Sequence, residues 1–270
     1  MTTVPDVLDR HPDKSVNPAP YSPVRLIARK EAAEIVTSPR GLAWLLVLTG
    51  TLSGFSLLFV ANTELSLLDN AQVVYDMLGV VTALGALLAV IAGADAIAGE
   101  RERGSLMPLL LAPVSRRQIV LGKLGGPLAA WVAMLVLALP YLWAVGSTGQ
   151  NLISGTLMLA LLGTPVVLGF GFLALGLGAT LGSARTALSL SLTGLVLSAS
   201  PLLLGASLRQ SVVGRAFDAV NPFSASLNAY DAVVIDSQSL FTQGLHALPV
   251  LAWLGITLLF ALSSVRSLSR

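Results

Sequence analysis

Residues 95–123 read DAIAGERERGSLMPLLLAPVSRRQIVLGK, a charged stretch between two long apolar runs, and its punctuation decides how the rest of the chain is read. Gly104 and Ser105 can open a short helix, Pro108 falls in its first turn where a missing N–H does little harm, and Pro113 closes it. Leu106, Leu109 and Leu110 then share one face. Ser115 can cap a second helix, with Gln118 three residues on completing a capping box, and that helix runs through Lys123 into the next apolar run. A small amphipathic helix between two membrane spans is the expectation. Its leucines and its flanking Glu100, Glu102, Arg116 and Arg117 suit either a groove on another protein or a bed of lipid headgroups.

Composition agrees with a membrane setting. Of 270 residues, 54% are hydrophobic and only 11% charged, which excludes the ordinary water-soluble class. A net charge of +2 is too small to imply nucleic-acid binding. Cysteine is absent, so neither disulfides nor thiolate metal sites are available, and His11 and His246 have no ligand-spaced partners.

Residues 1–21 hold four prolines and three aspartates and predict a disordered cytosolic tail. Residues 22–40 predict an interfacial amphipathic helix, with Arg25, Arg29, Lys30 and Glu34 off its apolar face and Glu31 intruding upon it. Six spans of about 20 residues follow: Gly41–Ala61, Met77–Ile97, Leu124–Val145, Leu157–Leu181, Thr186–Leu208 and Leu245–Val265. With both termini in the cytosol, fourteen Lys/Arg fall inside and two, Arg209 and Arg215, outside, against six outside acids. An odd number of spans would spoil that asymmetry. The fold expectation is therefore an all-α membrane protein, residues 41–270 forming a six-helix domain with a cytosolic segment at 98–123 and an external one at 209–244. In the external segment Phe217, Val220, Phe223 and Leu227 are apolar anchors for one or two short helices on the outer leaflet.

Few residues inside the spans invite chemistry. Asp95 is the one intramembrane acid, placed near the cytosolic end of span two, where an interfacial ion pair and a gating role are both open. The glycines of GFGFLALGLGATLG (169–182) are in a membrane-length apolar run and so are not a dinucleotide loop; Gly178 with Gly182, and Gly122 with Gly126, are spaced for helix packing. Pro140, Pro165, Pro201 and Pro249 permit kinks. No phosphate-binding loop, metalloprotease motif or nucleophile elbow occurs, so no catalytic residue and no metal ligand is assigned, and the chain is not read as an enzyme.

The acidic-Gly-Ser opening, the leucine run, Pro113, the basic pair and the closing LGK resemble the cytoplasmic coupling segment of ABC-2 type permeases, the membrane subunits of a class of ABC transporters. The string ARKE at 28–31 and the NPF at 221–223 are similar to features of the same family. The topology resembles the family from Val24 onward, while the specific motif is confined to Ala98–Lys123, a block closest to the permease of the copper-maturation system for nitrous oxide reductase. The resemblance implies an ATP-driven exporter in the cytoplasmic membrane, surrounded by lipid. Two copies of a cytosolic ABC ATPase would hold ATP and Mg, and a second permease copy or paralogue would pair with this chain. It assigns ATPase contact to Glu100, Glu102, Gly104, Ser105, Leu106, Leu109, Leu110, Pro113, Arg116 and Arg117. The competing readings are a self-contained secondary transporter or channel, and a membrane assembly subunit that transports nothing.

Overall fold

The computed structural model describes residues 22–61, 70–146, 151–200 and 211–269, so the expected N-terminal tail lies outside the described residues. Among these, all regular structure is helical. Helix α1 (Pro23–Thr37) starts at Ser22, whose hydroxyl accepts from the Arg25 N–H, and stops where Ser38 turns extended ahead of Pro39, the first residue of α2 (Pro39–Ala61). Helix α3 (Asn70–Ala94) passes through a π-helical turn at Asp95–Gly99 into a last turn at Glu100–Glu102. Next come α4 (Leu106–Leu111), α5 (Arg116–Lys123) and α6 (Gly125–Gly146). Helix α7 (Leu152–Met158) joins α8 (Thr164–Leu181) through a second π turn, Leu159–Gly163. Helices α9 (Ala184–Ala199), α10 (Val212–Val220), α11 (Pro222–Val234) and α12 (Gly244–Ser263) complete the described chain.

Five helical runs among the described residues are long and apolar enough to cross a membrane: Pro39–Phe59, Ala71–Glu102, Arg116–Gly146, Leu152–Leu181 and Leu240–Arg266. The expected fifth span is represented by α9, which has 16 described residues; its expected continuation to Leu208 lies outside them. Helices α3 and α8 form the centre. Leu78, Val81, Ala89, Val90, Val166, Val167, Phe170 and Ala174 are all fully buried where α3, α6, α8 and α12 meet. The outward faces of α2, α6 and α12 carry Leu46, Val47, Val132, Val136, Leu251, Ile256 and Leu259. Contiguous apolar faces on so many helices belong in hydrocarbon.

Contact between the two central helices depends on glycine. A Cβ on Gly93 would sit 2.2 Å from the Gly171 carbonyl oxygen, a clash with backbone that no rotamer relieves. Gly93→Ala is expected to cost about 1–3 kcal/mol by forcing α3 and α8 apart, seen as a lower unfolding midpoint in detergent, whereas Gly255→Ala, with open space around it, should change little.

The external segment departs from expectation. Helix α10 is at the surface, with Val220 and Phe217 exposed, but α11 is a core element: Phe223, Ala229 and Tyr230 are fully buried against α3, α7 and α12. Asn221 fixes its start, its carboxamide oxygen accepting from the Phe223 N–H while its amide donates to the Ser198 carbonyl and the Ser224 hydroxyl. The Tyr230 hydroxyl meets that of Thr82 at 3.2 Å, which satisfies both inside the bundle.

Candidate coupling site

The charged end of the bundle is built around a buried lysine. Lys123, the last residue of α5, is completely inaccessible, and its ammonium lies 2.7 Å from Glu31 Oε1 and 2.6 Å from Glu100 Oε2. The Lys30 ammonium, partly in solvent, donates to Glu100 Oε1. Three separate elements, α1, the end of α3 and the start of the α5–α6 run, are therefore joined at one point by charges with few alternative partners. Tight packing makes this possible: a Cβ on Gly122 would strike Ile27 at 2.6 Å, and Gly126 leaves room beside the Glu31 carboxylate. Burial pushes the Glu31 carboxyl above its ordinary value against the pull of Lys123.

Asp95 makes a second joint. Its carboxylate accepts two hydrogen bonds from Arg103, at 2.9 and 3.1 Å, and Arg40 of α2 approaches to 3.6 Å. The π turn and the following Arg103 are thus clamped together. Glu102 reaches sideways to accept from the Ala184 N–H at 2.9 Å, tying the segment to the first turn of α9, where an anion is favoured. Glu31, Glu34 and Glu100 bring carboxylate oxygens within 4.8 Å of one another, yet two of them already have ammonium partners, which leaves little net negative charge for a metal ion.

Helix α4 hangs from this scaffold. Gly104, with φ +74°, supplies the left-handed turn before it, and Ser105 does not cap it by its side chain, donating instead to the Glu100 carbonyl at 3.3 Å. The extended Ala112 and Pro113 end it. At α5 the capping box forms as the spacing predicts, Ser115 and Gln118 bonding reciprocally.

The expected leucine face points the other way. Leu106 is 3% exposed, packed with Ala96, Ile97, Val120 and Leu175, while Leu109 and Leu110 are half-buried against the same cluster. These leucines hold α4 to the bundle. The apolar side chains turned outward are Met107, 61% exposed, and Leu111, 80% exposed, with Pro113, Arg116 and Arg117 exposed nearby. Arg29 is likewise exposed, and Arg25 begins α1 beside its cap.

The glycines divide too. Gly178 lets α8 approach the Ala94 carbonyl, where a Cβ would be 3.1 Å away, but Gly182 is not a packing residue: with φ +72° it terminates α8, its N–H donating to the Gly178 carbonyl. Lys123, Arg103 and Arg40 are central to the site, and composition does not single them out. The available signal was Glu31, an acid on the apolar side of α1, which required a buried cation somewhere.

Residues 25–270 match the family described as ABC-2 family transporter protein. No curated protein matches the chain.

Proposed function

The chain belongs to the ABC-2 transporter family and is a multi-pass membrane permease of an ABC transporter, and from that premise we propose that it couples ATP hydrolysis in a separate ABC ATPase to export of a substrate. Two ATPase subunits and a second permease, identical or related, complete the assembly in the cytoplasmic membrane. The chain crosses six times, with α9 in the fifth span and both ends in the cytosol. The positive-inside tally supports this, because five crossings would put the two ends on opposite sides.

The observation that carries the reading is the way α4 is mounted. It projects Met107 and Leu111 outward, yet Leu106 roots it in the bundle, and the Glu31–Lys123–Glu100 and Asp95–Arg103 joints bind its base to α1, α3 and α5. A helix held so rigidly works as a lever. When ATP closes the ATPase dimer, a push on α4 is delivered to the ends of α3 and α6 together, and the packed α3–α8 centre moves as a body rather than yielding locally. That shift turns an inward-open pathway outward. The chemistry of hydrolysis, with its Mg, stays in the partner.

Co-purification in detergent with candidate ABC ATPases from the same genome tests the proposal. The expected result is a stable complex whose ATP hydrolysis depends on the permease. Failure of any such ATPase to associate, with or without nucleotide, would favour a self-contained transporter or channel or a non-transporting assembly subunit.

A further inference from the structure

A cavity of about 350 Å³ opens at the charged end of the bundle between the α1–α2 corner, the end of α3 and the start of α9. That volume is in the range of sites that hold small ligands. Its walls are apolar, formed by Trp44, Leu88, Ile91, Ala92 and Leu188, whereas its mouth carries exposed charges. A space greasy within and charged at the rim fits an amphiphile whose head lies at the membrane surface.

The sign of the rim decides the class. Glu31 and Glu100 are neutralised by Lys123 and Lys30, and Asp95 is engaged on both oxygens by Arg103. What remains at the mouth is Glu34 against two guanidiniums, Arg40 and Arg185. Arg40 reaches only the already occupied Asp95, at 3.6 Å, and Arg185 has no ion-pair partner among the described residues. Trp44 places an indole where aromatic side chains favour the bilayer interface.

We infer that this cavity binds a resident anionic phospholipid of the cytosolic leaflet, its acyl chain against Trp44 and Leu188 and its phosphate between Arg40 and Arg185. The leaflet rests on the orientation proposed above; the preference for an anionic lipid does not. An occupant here wedges α2 and α9 apart at the level of the Asp95 joint, so the lipid is a structural part of the coupling end.

The experiment places the full chain in nanodiscs and measures quenching of tryptophan fluorescence by brominated phosphatidylglycerol or brominated phosphatidylcholine, titrated into unbrominated phosphatidylcholine. Subtracting the Trp44→Phe variant isolates the indole in the cavity. Half-quenching is expected at about fivefold lower mole fraction for the anionic lipid, and the Arg40→Gln/Arg185→Gln variant, altered only at exposed positions, should bring the two lipids to parity. Equal quenching in the wild type, or a preference that survives in the double variant, would overturn the assignment. Nanodiscs offer both leaflets, so this readout is independent of sidedness, which a terminal epitope tag in inverted vesicles tests by itself.

Discussion

Lys123→Met is expected to remove about 3–5 kcal/mol of stability, enough to deplete the folded protein or lower its detergent unfolding midpoint by many degrees. The methionine that replaces it is of similar length and more apolar, so packing is preserved. The loss comes chiefly from stranding Glu31, 7% exposed, while Glu100, 4% exposed, is left with Lys30 as its one ammonium partner. Adding Glu31→Gln and Glu100→Gln to the variant should recover at least half of the loss, since neutral amides do not need the charge. A Lys123→Met protein as stable as wild type would mean that the ion cluster is incidental to the fold.

The same variant carries a pH signature. The Glu31 carboxyl is raised above its ordinary value near 4.5, chiefly by burial and in spite of Lys123. A carboxyl raised on folding binds its proton more tightly in the native state. Its stabilising contribution is therefore full below the ordinary value and is lost as pH rises through the folded one. Removing Lys123 takes away the largest influence holding that value down, so the deficit of Lys123→Met should shrink on acidification from pH 8 toward pH 5. The opposite trend would place the stranded charge elsewhere than on Glu31.

This cluster shows which parts of the molecule were legible in the sequence. Apolar runs could be read because hydrocarbon imposes a simple demand, about 20 apolar residues. Pro39 and Gly244 begin close to the expected Gly41 and Leu245, whereas the runs expected from Met77, Leu124 and Leu157 start earlier, at Ala71, Arg116 and Leu152, because polar residues at their ends continue the helices. The capping box at Ser115 could be read because its chemistry is local. Lys123 looked like an ordinary cytosolic flank, since its partners lie 92 and 23 residues away and only packing brings them together. Helix α11 was assigned to the surface for a related reason. Its place in a long external segment pointed to the outer leaflet, but Ser224 and Ser226 find partners within the helix and its N-cap, which lets it sink into the core. Gly182 shared its spacing with a packing motif, yet only its positive φ distinguishes a helix end from a helix contact.

The leucine run of α4 failed differently, and the difference defines the second large effect. Its periodicity locates an apolar face correctly but does not say whether that face meets a partner or the chain's own bundle. With Leu106 at 3% exposure among Ile97, Val120 and Leu175, Leu106→Asp/Leu110→Asp would bury a carboxylate and should fail to fold, so loss of ATPase binding in that variant would say nothing about docking. Met107→Asp/Leu111→Asp changes only side chains that point away from the bundle. If α4 enters a groove on the ATPase, these two are its apolar anchors, and charging them should weaken association by about 30-fold or more, the effect of losing one strong interface contact of about 2 kcal/mol. The detergent unfolding midpoint and elution profile of the permease should stay at wild-type values. Permease-dependent ATP hydrolysis at limiting ATPase concentration should fall in proportion to the complex lost, and raising the ATPase should restore it. Undiminished association of the outward-face variant would remove α4 from the interface and leave the neighbouring basic pair, Arg116 and Arg117, as the next surface to charge-reverse.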